Sequence, residues 1–140
     1  MSSLVGMQKI GGARMTGLDQ VKDIASVKNI EQITHCLVER ISPLKIFLFG
    51  SFADGTYTDD SDYDFYIVVN DASDTWETRS LAQRAIRNVQ NRPVDIVVGT
   101  LSRFEKYGPS LDSFFVEGEV FRKGKLLYDQ SSSALKKIPS

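Results

Sequence analysis

Three short runs of apolar, aromatic and β-branched residues constrain this chain most, because each is too short for a buried helix and each is followed by a turn or a helical period. Lys45 to Phe49 (Lys-Ile-Phe-Leu-Phe) is nearly continuous and ends at Gly50, which predicts a strand covered on both faces. Asp62 to Val69 is rich in aromatic and β-branched residues and stops at Asn70-Asp71, predicting a second strand, and Pro93 to Gly99 predicts a third. Before and between them the period changes. Val27, Ile30, Ile33, Leu37 and Ile41 recur at spacings of three and four until Pro43 stops the helix. Thr75 to Val89 carries Trp76, Leu81, Ala82, Ala85, Ile86 and Val89 at helical spacing, with Asp74 or Thr75 as its cap. A short helix near Ser102 to Tyr107, a break at Gly108-Pro109 and a last helical stretch from Ser110 to about Lys123 complete the pattern. Strands alternating with helices around a small sheet imply an α/β or α+β fold.

A chain of 140 residues with 41% hydrophobic and 25% charged residues fits one domain. The expected division is a flexible N-terminal arm over 1–18, a single domain over 19–129 and a flexible tail over 130–140. Seventeen Lys and Arg against eighteen Asp and Glu leave a net charge of -1, which argues against a nucleic-acid partner held by bulk attraction. One cysteine, Cys36, allows no internal disulfide and suits a reducing cytoplasm. The apolar runs fall far short of the about 20 residues of a spanning helix, so no membrane partner is expected.

The chemistry is concentrated in Phe49-Gly50-Ser51-Phe52-Ala53-Asp54-Gly55, in Ser61-Asp62-Tyr63-Asp64, and in Val94-Asp95-Ile96. A glycine and serine directly after a buried strand leave backbone N–H groups and a hydroxyl turned outward, which suits phosphate oxygens. Asp62 and Asp64, two apart on one predicted strand, fall on one face of the sheet. Two carboxylates so placed repel each other and call for a cation, and magnesium prefers oxygen ligands of this kind. Asp95, flanked by Val94, Ile96, Val97 and Val98, needs a partner if buried, and on a neighbouring strand it would complete a three-carboxylate site able to hold two metal ions.

Gly-Ser, ten residues, Asp-x-Asp and a further Asp on a later strand together resemble the polymerase-beta-like nucleotidyltransferase superfamily, and within it the minimal nucleotidyltransferases. The likeness covers Ile46 to Gly99, and Gly124-Lys125-Leu126-Leu127-Tyr128 is similar to the pattern that closes many of those proteins. The resemblance implies a small mixed sheet flanked by helices. It implies that Gly50 and Ser51 grip the triphosphate of a nucleotide, ATP by preference, and that Asp62 and Asp64 hold two Mg2+ ions. Asp95 is then the third ligand and the base for the acceptor hydroxyl. The implied reaction moves a nucleoside monophosphate to that hydroxyl and releases pyrophosphate, with a HEPN-domain protein as acceptor in an antitoxin-like pairing; an oligomer is compatible. Many minimal nucleotidyltransferases carry arginine in the first or third place after Gly-Ser, where this chain has Phe52 and Asp54, so the implied triphosphate affinity depends on Arg79, Arg84 or Arg103 substituting from another element.

Plainer readings stand beside these. Gly50-Ser51 alone is a strand-to-helix turn, the acids from Asp59 to Asp64 could be a solvated loop, and Asp95 could be an edge residue. His35 lacks neighbouring metal-type ligands and reads as a surface or structural residue, Cys36 as core. Phe114, Phe115, Val116 and Phe121 read as core, or where exposed as a partner surface. A non-catalytic nucleotide-binding or partner-binding module is therefore the alternative to the enzyme.

Overall fold

The computed structural model describes residues 17–132. The expected arm lies outside the described residues except for Gly17 and Leu18, and so does most of the expected tail. The elements run α1 (Ile24–Ile41), β1 (Lys45–Phe49), α2 (Ser51–Asp54), β2 (Tyr63–Val69), α3 (Thr75–Ile86), β3 (Val94–Thr100), α4 (Leu101–Tyr107), α5 (Val116–Lys123) and β4 (Lys125–Asp129). The four strands form one mixed sheet in the order β3-β2-β1-β4. β1 is antiparallel to both β2 and β4, whereas β2 and β3 are parallel.

Local signals explain most boundaries. Asp23 caps α1 by accepting from the Ser26 N–H at 3.0 Å. The helix ends where Ser42 turns left-handed (φ 54°) and its N–H reaches Val38 O, one residue before Pro43. Asp74 caps α3 in the same way through Glu77 N–H. α3 stops at Ile86, short of Val89, as Asn29 Nδ2 takes the Val89 carbonyl. The helix expected from Ser110 begins only at Val116. Residues 110–115 instead form turns in which Asp112 Oδ1 accepts from Phe114 N–H and Ser110 Oγ from Asp112 N–H, side-chain bonds that compete with a helical backbone.

The pleat divides the core in two. Ile46 and Leu48 of β1, Tyr63, Phe65 and Ile67 of β2 and Ile96 of β3 pack against Val27, Ile30, Ile33 and Leu37 of α1 and Ala82 and Ile86 of α3. Leu18 is fully buried in this cluster. On the opposite face Phe49, Tyr66 and Val68 pack with Phe104 of α4 and Val120 of α5. α4 and α5 are pinned there by a polar bond within the core: Tyr66 donates to Glu117 Oε2 at 2.6 Å, and Arg103 Nε donates to the same oxygen at 2.9 Å. Burial and then the Glu117 carboxylate push the Tyr66 phenol far up, so it remains a donor. Arg103 also lies over the Tyr107 ring at 4.9 Å. Tyr66→Phe keeps the packing but removes a donor to a buried charge, and should cost about 1.5–3 kcal/mol in denaturant unfolding.

Candidate functional site

The site grows from the end of β1. Gly50 follows Phe49 with φ 71° and ψ -154°, a conformation that side chains rarely adopt. A Cβ there would also collide with Asp64 Oδ2, so the bare glycine admits the carboxylate. The Gly50 carbonyl accepts from Ala53 and Asp54 N–H, which folds residues 51–54 into the single turn of α2.

Asp64 stands opposite Phe49 in the β1–β2 register and opposite Asp95 in the β2–β3 register. The carboxyl is half-buried and is pushed up to about 6, first by burial, then by the charges of Asp95, Asp62 and Glu119. Asp95 therefore stands beside Asp64 in register, and the charges of Asp62 and of Glu119 on α5, which no motif in the sequence flagged, act on the same carboxyl.

Two details differ from expectation. β2 starts at Tyr63, so Asp62 is exposed on the preceding loop and does not share a strand face with Asp64. Asp95 is exposed on the edge strand β3, so burial does not oblige it to find a partner. Among the described residues no three His, Cys, Asp or Glu side chains are gathered as a ready metal site. The three acids are thus not preassembled as a triad: Asp62 is exposed on a loop and Asp95 on the edge strand. The donor set nevertheless suits a hard divalent ion: carboxylate oxygens on adjacent strands, one of them strained by uncompensated negative neighbours.

The Gly-Ser loop explains its own departures. Phe52 is fully buried, stacked on Tyr57 at 4.1 Å and edge-on to Tyr63 at 4.8 Å, so position 52 belongs to the core. Asp54 is exposed and accepts from Thr56 Oγ1 (2.6 Å) and N–H (3.0 Å), bonds that hold its carboxyl below the usual range. Of the expected substitutes, Arg103 is committed to Glu117, and Arg84 lines a separate depression with Ser73, Asp74 and Glu77. Arg79 alone lies beside an acid of the site. Its Nε donates to Ile96 O at 2.8 Å, and with Thr75, Trp76 and Asp95 it lines a depression of about 250 Å³.

His35 pairs with Glu39 at 3.1 Å on the exposed side of α1, and Cys36 packs partly buried against the core. The expected Phe cluster divides: Val116 packs inward, Phe115 stacks on Tyr107 at 4.0 Å, and Phe114 and Phe121 are exposed.

The profile of the family described as Polymerase beta, Nucleotidyltransferase matches residues 31–133. Among solved structures, the toxin–antitoxin with AMP-PNP is 26% identical over 75% of this chain and 77% of that one, with a TM-score of 0.53. A mutant form of the toxin–antitoxin MntA–HpeT is 27% identical over 76% and 77%, with a TM-score of 0.51. A Sulfolobus solfataricus protein assigned as a nucleotidyltransferase shares the fold at 20% identity over 74% and 80%, with a TM-score of 0.52. No curated protein matches the chain significantly.

The raised Asp64 carboxyl has a consequence for metal-free stability. An acid with a higher pKa folded than unfolded holds its proton longer in the native state, so stability falls as pH rises from near 4 through about 6. Asp64→Asn removes that loss. In thermal melts without metal, the variant should exceed wild type at pH 7.5 and match it near pH 4.

Proposed function

Because the chain belongs to the polymerase-beta nucleotidyltransferase family, we propose that it transfers a nucleoside monophosphate, AMP by preference, to an acceptor hydroxyl on a HEPN-type partner protein, using two Mg2+ ions. One observation carries this reading. Asp64, seated against Gly50 at the end of β1, faces Asp95 in register and is close enough to Asp62 and Glu119 to be raised by their charges.

In this reading Gly50 and Ser51 bind the terminal phosphates through backbone N–H groups and the Ser51 hydroxyl. Asp62, Asp64 and Asp95 hold the divalent ions, which when bound offset charge on the reacting phosphate oxygens. Asp95, exposed beside the depression lined by Trp76 and Arg79, is open to an incoming acceptor. Its carboxylate takes the proton as the acceptor oxygen bonds to the α-phosphorus and the bond to pyrophosphate breaks. Arg79, beside Asp95, is the cation best placed to orient the nucleotide or acceptor. The nucleotide and partner assignments draw support from the AMP-PNP-bound and MntA–HpeT toxin–antitoxin structures. Residues 19–129 are the proposed functional unit, and a reducing cytoplasm the proposed setting.

A second reading, a partner-binding module without catalysis, is favoured by Asp54 in the place of an arginine and by exposed Leu111 (92%) and Phe114 (88%). Labelled transfer separates the two. With α-labelled triphosphates and a HEPN-type candidate partner, wild type should label the partner. Asp95→Asn should retain much of the triphosphate affinity, which Ser51, Asp62 and Asp64 mainly carry, and lose about 100-fold to 10,000-fold in turnover. A wild type that inhibits the partner stoichiometrically without labelling it would overturn the enzyme.

Asp54→Arg offers a further check. The side chain is exposed, so the substitution should fold, losing only the solvent-exposed Thr56 bonds. It should tighten triphosphate binding in calorimetric titration. Phe52→Arg should instead cost about 3–5 kcal/mol, since it empties a core site and introduces a charge.

A further inference from the structure

Arg92 sits in the connection between α3 and β3 and reaches across to the loop that precedes β2. Its Nη1 donates to three carbonyl oxygens of that loop: Ser61 at 2.8 Å, Thr58 at 3.3 Å and Asp59 at 3.3 Å. The guanidinium carbon lies 4.9 Å from the centre of the Phe52 ring and 5.4 Å from that of Tyr63. A guanidinium is suited to this double role, since its planar face stacks while its edge donates.

The base of the side chain is itself fixed. Asn91 Oδ1 accepts from Tyr63 Oη at 3.0 Å, and Asn91 N–H donates at 2.9 Å to Oδ1 of buried Asn29 on α1. Gln90 Nε2 donates to the Arg92 carbonyl, and Tyr63 N–H to the Pro93 carbonyl. The loop is closed locally, with Thr58 N–H donating to Ser61 Oγ and Ser61 N–H to Thr58 O. Arg92 therefore ties this turn to the segment before β3, while Tyr57, bonded to Lys22 and Asp23, anchors its other flank. Its Nε is buried and meets no acceptor among the described residues, a desolvation cost carried by a residue placed for the opposite edge of its guanidinium.

We propose that Arg92 is a positioning residue for nucleotidyl transfer: by gathering the carbonyls of Thr58, Asp59 and Ser61 over the Phe52–Tyr63 platform, it fixes where Asp62 stands relative to Asp64. The inference rests on the proposed role of Asp62 in holding metal. It also gives Phe52 a function. An aromatic ring in the Gly-Ser loop contributes no phosphate contact, but it seats the cation that aligns the acid loop. Residues that orient metal ligands from behind alter metal affinity about 10-fold to 100-fold when replaced.

The test uses the full chain. In metal-free protein, Arg92→Gln should speed hydrogen exchange at the amides of 58–62 by about tenfold, leaving those within β2 and α1 unchanged. In the transfer assay the magnesium concentration for half-maximal rate should rise about 10-fold to 100-fold, with kcat at saturating magnesium little altered. Arg92→Lys, which keeps a cation over the rings but not the planar fork, should recover part of both, and it carries the test if Arg92→Gln does not fold. Exchange at 58–62 that matches wild type in an active variant overturns the positioning role alone, as does faster exchange with an unchanged magnesium dependence. A wild type that transfers no nucleotide overturns the reaction itself, and the positioning role with it.

Discussion

β2 is covered on both faces, and its one carboxylate, Asp64, is seated against Gly50 at the end of β1. That contact links the fold to its chemistry. It requires a glycine at position 50, it keeps β1 and β2 in register at Phe49 and Asp64, and it brings the turn that follows β1 beside the acids of β2 and β3. The surrounding charges are arranged at its expense. Burial first, then the charges of Asp95, Asp62 and Glu119, raise the Asp64 carboxyl, so its ionised form is disfavoured when no cation is present. A cation placed there would offset that repulsion.

The net charge of -1 makes local placement of cations decisive. Arg103 is spent on Glu117 and two aromatic rings, Arg92 on backbone carbonyls, and Arg79 on the Ile96 carbonyl. In each case the guanidinium organises protein structure before it meets any ligand. Arg79 differs in lining, together with Asp95, the depression along β3.

Much of this was legible in the sequence, and the gaps have physical reasons. The two inner strands, β1 and β2, were visible because burial on both faces demands continuous apolar residues, and the edge strand β3 because Val94, Ile96, Val97 and Val98 are β-branched. β4 was not foreseen as a strand. It pairs with β1 alone, begins at Lys125 and leaves Leu126 partly exposed, so its short run looked like a closing motif. The acids were recognised by spacing, but their environments were not. A one-residue shift in the start of β2 moved Asp62 off the strand, and the position of β3 at the sheet edge left Asp95 in solvent. Glu119 reaches the site from a helix distant in sequence, and Arg92, though next to the Asp95 strand, makes its contacts with a loop more than thirty residues earlier. The flanking pattern Arg-Pro-Val-Asp held no sign that Arg92 would turn back over Phe52.

β1 is the second strand of the sheet in space, yet one of its two partners is β4, the final strand described. Leu44 O accepts from Gln130 N–H, and Gly17 lies against the backbone of Leu126, so segments from both ends of the described chain close over the same edge. On a ribosome, β1, β2 and the turn bearing Gly50 emerge long before the strand that completes them. Until residue 129 is free of the exit tunnel, β1 has an open edge and Leu18 lacks the Leu127 side of its cluster. A nascent chain of this fold would thus display an unpaired apolar strand through most of its synthesis, the condition in which strand-to-strand association is hardest to avoid.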